Sequence, residues 1–147
     1  MKKLLGLVFL MLFLASATKI SSSKPEKLTI EGTWELTSFY NYDGQKITDT
    51  VATSNGYRQI KMYYSGKVMW TRYVPKDSVE WFGYGSYKTT SKSLTENLEY
   101  MSASMHKASG SLNEYSFELQ LEKDKYSQIS VDDEGNRIFS ENYRRID

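Results

Sequence analysis

The sequence predicts an all-β protein built as a single eight-stranded antiparallel up-and-down barrel. Short segments of alternating apolar and polar residues follow one another after residue 27. Turn-forming clusters separate them at intervals of roughly 8 to 12 residues, the spacing typical of antiparallel sandwiches and barrels. No long helical pattern interrupts them. A seven- or eight-stranded sandwich is the alternative, because periodicity alone does not show that a sheet closes.

Residues 1–17 are typical of an export signal. Lys2 and Lys3 precede an apolar run of eleven residues at 4–14, and a small-x-small cleavage site ends at Ala17. The run is shorter than the roughly 20 apolar residues that a membrane-spanning helix needs. The chain has no cysteine, so a lipoprotein anchor is not expected. We therefore expect a periplasmic or secreted protein with no transmembrane segment in its mature chain.

The mature chain is predicted to contain one domain. Residues 18–27 are polar, with three successive serines and a proline, and are predicted to form a flexible linker. Residues 28–147 show no internal repeat and no second linker, so we assign them to the barrel domain. Without cysteine the domain has no disulfides, and its stability must come from packing.

The charge balance argues against nucleic acid as a partner. Removing Lys2 and Lys3 from the 19 basic residues leaves 17 against 18 acidic residues, a net charge of −1. The basic residues are scattered and form no stripe of the kind that neutralises phosphates. A monomer is favoured.

Eight strands are predicted, and the first contains the stretch around which the chain is organised. In it Ile30, Trp34 and Leu36 share one face, where Gly32 leaves room for a closely packed neighbour. Residues 40–56, which carry three turn-forming clusters and little periodicity, are predicted to be the longest loop. The predicted strands lie at 28–39, 57–64, 67–74, 80–90, 94–105, 115–121, 126–131 and 137–146.

Two short motifs mark the ends of the predicted barrel sequence: Gly32-Thr33-Trp34 opens the first strand, and Glu141-Asn142-Tyr143-Arg144 lies in the last. With them, residues 28–147 resemble the lipocalin and calycin superfamily, in particular secreted lipocalin-like domains of bacteria. The resemblance implies structural roles for Gly32, Trp34 and Arg144. The tryptophan would close one end of the barrel, with Arg144, or Arg145 beside it, stacked over its ring. Any ligand pocket would then open at the opposite end.

The inward faces predicted from alternation supply candidate ligand contacts, which either line a cavity or fill the core. The twelve tyrosines suit a pocket with apolar walls and hydroxyl tips, and equally an outer surface with cross-strand aromatic packing. The apolar and aromatic candidates are Ile60, Met62, Val68, Trp70, Phe82, Tyr84, Leu98, Tyr100, Phe117 and Leu119.

Two charged residues, Arg72 and Glu96, also fall on predicted inward faces. A buried charge is costly unless it is paired or functional, so these residues either pair or hold a charged ligand group. A one-residue shift in register would instead place either of them in solvent. The related fatty-acid carriers grip a carboxylate with an Arg-x-Tyr on the last strand. This sequence has Glu141-x-Tyr143 there, so carriage by that mechanism is not expected.

The sequence predicts no catalytic residue, metal site or cofactor. His106, the only histidine, is predicted to lie in a loop after the fifth strand, and Asp132-Asp133 lack the ligand spacing of an EF-hand. We therefore expect a barrel that binds a small apolar or amphipathic molecule in its interior and is not an enzyme. The alternative is a filled barrel without a cavity that acts as an envelope-associated interaction or structural module.

Overall fold

Nine strands and one short helix follow one another along residues 27–147, the part of the chain that this computed structural model describes. The predicted export signal, and the predicted linker up to residue 26, lie outside the described residues. The elements are β1 (Gly32–Asp43), β2 (Lys46–Val51), β3 (Arg58–Tyr64), β4 (Lys67–Tyr73), β5 (Trp81–Thr89), β6 (Ser93–Met101), α1 (Ala103–Ser109), β7 (Glu114–Leu121), β8 (Lys125–Val131) and β9 (Arg137–Arg145).

Eight of these strands form a closed antiparallel ring. Each strand from β3 to β9 pairs with the next, and β1 joins the two ends because it pairs with β3 along one edge and with β9 along the other. This arrangement confirms the predicted all-β class and the eight-stranded antiparallel barrel. It also excludes the sandwich, in which two separate sheets would face each other.

The strand β1 is long enough to take part in two pairings on one edge. Gly32 to Glu35 pair with β3, and Phe39 to Asp43 pair with β2 across a tight turn. Gly44 occupies that turn with a φ of 61°, a conformation that glycine adopts without steric cost. The prediction of one long loop at 40–56 is therefore wrong. Gly44 and Gln45 form a two-residue hairpin turn between Asp43 and Lys46, and only residues 52–57 connect β2 to β3.

The predicted strand at 94–105 ends early because Ser102 starts a helix. Its side-chain oxygen accepts a hydrogen bond of 3.2 Å from the backbone N–H of Met105, which satisfies a donor that the first helical turn leaves unpaired. His106 consequently lies on α1, where it is exposed, and the loop prediction for it is wrong. Along residues 27–147, no helix combines the length and apolar character that crossing a membrane requires.

Trp34 closes one end of the barrel. Its side chain is completely buried, its Nε1 donates a hydrogen bond of 2.7 Å to the Ile30 carbonyl, and its ring meets Tyr126 edge to face at 4.9 Å. The guanidinium of Arg145 covers the same ring at 4.0 Å from its centroid. An indole with a paired N–H and a cation over its face is held in one position.

The partner of Trp34 is therefore Arg145, and the assignment of Arg144 to this contact is wrong. Successive side chains of a strand point to opposite faces, so Arg145 points inward and Arg144 points out. On the outer surface Arg144 donates a 2.9 Å hydrogen bond to Glu35. Together with Arg58, it lowers the pKa of the Glu35 carboxyl.

Gly32 leaves the space in which this closed end packs. A Cβ atom built at Gly32 would lie 2.1 Å from Nη1 of Arg145 and 2.9 Å from Oδ1 of Asp147. The residue also has a φ of 135°, which side chains rarely tolerate. Arg145 uses the space to donate hydrogen bonds of 2.6 Å and 3.0 Å to the carbonyls of Glu31 and Thr29.

We expect Trp34→Ala to lower the free energy of unfolding by about 3 to 5 kcal/mol, the range for a buried large aromatic side chain. The substitution removes the indole that supports Tyr126 and Arg145. Trp81→Ala, which removes a partly exposed indole from the opposite end, is the matched control and should cost less. Urea denaturation of both variants measures the difference, and a Trp34→Ala protein that unfolds like the parent would contradict this account of the closed end.

Candidate functional site

The barrel contains a cavity of about 230 Å³ at the end away from Trp34. On β9, Glu141 lines this cavity, while Arg145, further along the same strand, covers the tryptophan. The cavity thus lies at the end opposite Trp34, where the family resemblance implies that a pocket would open. Its lining comes from six strands and α1 and consists of Gln59, Lys61, Trp70, Arg72, Glu96, Leu98, Met105, Tyr115, Phe117, Gln128, Ser130, Phe139 and Glu141.

Five of the twelve candidate contacts come together in this cavity. They are Trp70, Arg72, Glu96, Leu98 and Phe117. Val68 and Leu119, which also share the predicted inward faces, are buried in the apolar core. The remaining candidates lie on the outer surface, for reasons that differ from strand to strand.

On β3 the predicted inward face is wrong by one residue. Met62 lies on the outside with 48% of its surface exposed, and Ile60 shares that outer face. Gln59, Lys61 and Tyr63 point inward instead and are each at most 3% exposed. The inward face is the more polar of the two, and its polar residues are buried because they find hydrogen-bond partners inside the barrel.

On β5 the glycines, and not the aromatic residues, face the interior. A Cβ atom at Gly83 would lie 2.6 Å from Nε1 of Trp70, so the tryptophan ring occupies the space that a side chain would need. Phe82 and Tyr84 point outward as a result, and Tyr84 stacks on Tyr100 at 5.2 Å. The prediction that these two β5 residues line a cavity is corrected.

A β-bulge at Glu99 turns Tyr100 outward. Tyr84 pairs with Tyr100 and the next residue, Gly85, pairs with Leu98, so Glu99 is the extra residue on β6. An extra residue shifts the alternation by one. Leu98 is therefore buried, whereas Tyr100 is 59% exposed and cannot contact the cavity.

The floor of the cavity is a buried ion pair between Lys61 and Glu96. Nζ of Lys61 lies 2.9 Å and 3.1 Å from the two carboxylate oxygens, and the side chains are only 4% and 3% exposed. The ammonium also donates to Oε1 of Gln128 at 2.8 Å, and Tyr63 donates its hydroxyl to Glu96 at 2.5 Å. Lys61 therefore uses all three of its donors within the protein.

A second group of polar side chains surrounds Glu141. Its Oε2 accepts hydrogen bonds from Nε2 of Gln59 at 3.1 Å, Nε2 of Gln128 at 3.0 Å and the Tyr143 hydroxyl at 2.5 Å. Arg72 donates from Nε to Oε1 of Gln59 at 2.8 Å, and its Nη2 lies 3.8 Å from Oε1 of Glu141. Arg72 thus faces Glu141, and Glu96 pairs with Lys61, so the predicted option of an Arg72–Glu96 pair is wrong.

The two groups together are electrically balanced, and their buried polar atoms are all hydrogen-bonded. Two cations, Lys61 and Arg72, face two carboxylates, Glu96 and Glu141. Among residues 27–147, no buried side-chain nitrogen or oxygen is without a hydrogen-bond partner. Desolvation raises the pKa of Tyr57, at the edge of the network, to about 12. Its hydroxyl is consequently neutral at physiological pH and donates to Gln59 at 2.8 Å.

The cavity walls differ in polarity from side to side. Gln59, Arg72 and Glu141 form a polar wall on β3, β4 and β9. Across the ring, β6 and β7 contribute the apolar side chains of Leu98 and Phe117, and Met105 from α1 adds another apolar surface. This arrangement offers hydrogen bonds and charge to one part of a molecule and apolar contact to the rest.

Sequence reasoning missed eight of the thirteen lining residues, and those that carry the polar network are Gln59, Lys61, Gln128 and Glu141. One signal was available for Glu141: if Arg145 points inward, the period of two places Tyr143 and Glu141 on the same face. In residues 27–147, no group of three or more histidine, cysteine, aspartate or glutamate side chains is arranged to hold a metal ion.

We expect Lys61→Met to lower the free energy of unfolding by about 3 to 5 kcal/mol, because Glu96 would remain buried without its cation. The double variant Lys61→Met/Glu96→Gln should regain most of that stability, since it removes both charges. Lys67→Met, at an exposed ion pair with Glu99, should change stability by less than about 1 kcal/mol. A double variant as unstable as Lys61→Met would contradict this explanation.

Alkaline pH should destabilise the protein through its buried tyrosines. Burial raises the pKa of Tyr126 well above its usual range, whereas the unfolded chain ionises near pH 10. The contribution of each such tyrosine to the free energy of unfolding is therefore fully present below about pH 10. It falls by about 1.4 kcal/mol per pH unit as the pH rises from there towards the pKa of the folded protein. Urea denaturation at pH 8 and pH 11 should show a smaller loss for Tyr126→Phe. Tyr64→Phe, at a position that is 78% exposed, should behave like the parent.

Comparison with known proteins shows a similarity to a solved structure. No profile of a known protein family matches the sequence, and no curated protein sequence matches it. The chain is similar to a crystal structure of an uncharacterized protein from Bacteroides eggerthii DSM 20697, with a TM-score of 0.53. The similarity covers 79% of this chain and 98% of that chain at 19% sequence identity, so it shows a shared fold alone.

Proposed function

We propose that this barrel binds one small amphipathic molecule at its open end. The observation that supports the proposal is the cavity with a polar wall at Arg72 and Glu141 and an apolar wall at Leu98 and Phe117. A barrel that served only as a filled structural module would gain nothing from two charged side chains beside an open space. The role we propose is binding and not catalysis.

The size of the cavity limits the ligand. A cavity of about 150 Å³ accepts a benzene molecule, so the 230 Å³ available here corresponds to about nine non-hydrogen atoms. This volume is below the roughly 300 Å³ at which most pockets for small organic molecules begin. The proposed ligand is therefore a compact molecule, and a long acyl chain does not fit.

We further propose that the protein is related to lipocalins and acts outside the cytoplasm. The contact of Trp34 with Arg145 at the closed end supports the relationship, because it combines the predicted G-x-W motif with one of the two expected arginines. The export signal predicted at 1–17 supports the location. Detection of a mature chain that begins at Thr18 in the periplasm or medium would agree with both the signal and its cleavage site.

A second candidate function, an interaction module, is favoured by the outer surface of β3 to β6. The strand register aligns Met62, Met69, Tyr84 and Tyr100 in one outward row, and three of them are at least 48% exposed. Methionine and tyrosine are enriched at protein interfaces. The ion pair of Lys67 and Glu99 adjoins the row, so two copies related by a twofold axis would present opposite charges to each other.

Native mass spectrometry of the exported protein tests both functions. We expect a monomer that carries a non-covalent adduct of roughly 100 to 150 Da, the mass of about nine non-hydrogen atoms. Leu98→Trp should remove the adduct by filling the apolar wall, and Met62→Trp, on the outer face, should retain it. A clean apo mass in both the parent and Leu98→Trp would contradict the binding function. A dimer without adduct would favour the interaction module.

A further inference from the structure

Arg72 and Glu141 retain hydrogen-bonding capacity that the protein itself does not use. Arg72 makes a hydrogen bond through Nε, to Gln59, and among residues 27–147 its Nη1 and Nη2 make none. On Glu141, Oε2 accepts three hydrogen bonds, whereas Oε1 has only the Arg72 guanidinium at 3.8 Å. Lys61 and Glu96, by contrast, are saturated by each other, Gln128 and Tyr63.

We propose that the ligand of this cavity is a small zwitterion of the α-amino-acid type, whose carboxylate binds Arg72 and whose ammonium group binds Oε1 of Glu141. This inference rests on the binding function proposed above and adds the chemical class of the ligand. The unused donors and the unused acceptor lie side by side, and an α-amino acid carries the complementary acceptor and donor on a single carbon atom. Guanidinium and carboxylate groups form charge-assisted hydrogen bonds with such partners.

A ligand with only one charge fits this pair less well. A carboxylate bound to Arg72 would lie close to the Glu141 carboxylate, and an ammonium group bound to Glu141 would lie close to the Arg72 guanidinium, because these groups are 3.8 Å apart. Like charges at that distance repel each other. A zwitterion meets each group with the opposite charge and leaves the balanced interior unchanged.

The apolar wall limits the side chain that the ligand can carry. Leu98, Phe117 and Met105 lie across the cavity from the charged pair and present no charged group. With 230 Å³ available, the side chain of the zwitterion is aliphatic and of the size of leucine or smaller. Large aromatic amino acids exceed the space.

Isothermal titration calorimetry with four matched compounds tests the inference. Leucine presents both charges on one carbon, its isomer 6-aminohexanoate separates them, 4-methylpentanoate keeps only the carboxylate, and 3-methylbutylamine keeps only the ammonium group. We expect leucine to bind at least about tenfold more tightly than each of the other three, because each loses one charge-assisted contact or the spacing of the pair.

Two variants assign the contacts. Arg72→Gln should weaken leucine binding by about tenfold or more and leave the weak binding of 3-methylbutylamine unimpaired, while Glu141→Gln should weaken leucine and spare 4-methylpentanoate. Arg58→Gln is the matched control, since it removes an exposed arginine of the outer surface that pairs with Glu35. Thermal melts establish that each variant is folded. If Glu141→Gln fails to fold, Arg72→Gln and the four compounds still decide whether the ligand is a zwitterion.

The inference fails if 4-methylpentanoate or 6-aminohexanoate binds as tightly as leucine, or if none of the four compounds binds. It also fails if Arg72→Gln binds leucine like the parent. These outcomes leave the proposed function intact when the native mass spectrum contains an adduct that Leu98→Trp removes. Failure of both experiments would reject the cavity as a binding site altogether.

Discussion

Burial of the Lys61–Glu96 ion pair constrains how the inside of this barrel is built. An ion pair with both side chains at most 4% exposed is tolerated only when the remaining donors and acceptors of the two groups are also satisfied. Gln128 and Tyr63 meet this requirement from β8 and β3. Because side chains alternate along a strand, fixing one inward residue fixes the inward face of β3, and it fixes those of β6 and β8 as far as their irregularities at Glu99 and Val131.

The pair also divides the interior into two parts with different properties. Towards Trp34, the interior is packed with aromatic side chains, among which Tyr126 and Tyr143 stack at 4.7 Å. Towards the open end, the polar wall of Arg72 and Glu141 borders empty space. The aromatic packing lies in the first part, and the binding function that we propose is confined to the second.

Local signals in the sequence were sufficient for the outline of the barrel and for part of the site. Turn residues and alternation located eight strands, and they oriented β4 and β7 correctly because the apolar residues of those strands are the buried ones. They failed on β3, where Ile60 and Met62 are outside and Lys61 is inside. The partner that permits this burial, Glu96, is 35 residues away in the chain, so no local pattern contains it. The bulge at Glu99 likewise depends on the pairing with β5.

The hairpin of β1 and β2 gives the protein a free strand edge at which copies could associate. A closed ring has no free strand edges. Because β2 pairs with β1 alone, its other edge is free. The backbone N–H and C=O groups on that edge could pair with a strand of another molecule. Several properties of β2 oppose such growth. It is only six residues long, its first five residues are exposed, and Lys46 and Asp49 place charges along it. The strand edge that is most available for edge-to-edge aggregation is thus also short and carries charged side chains.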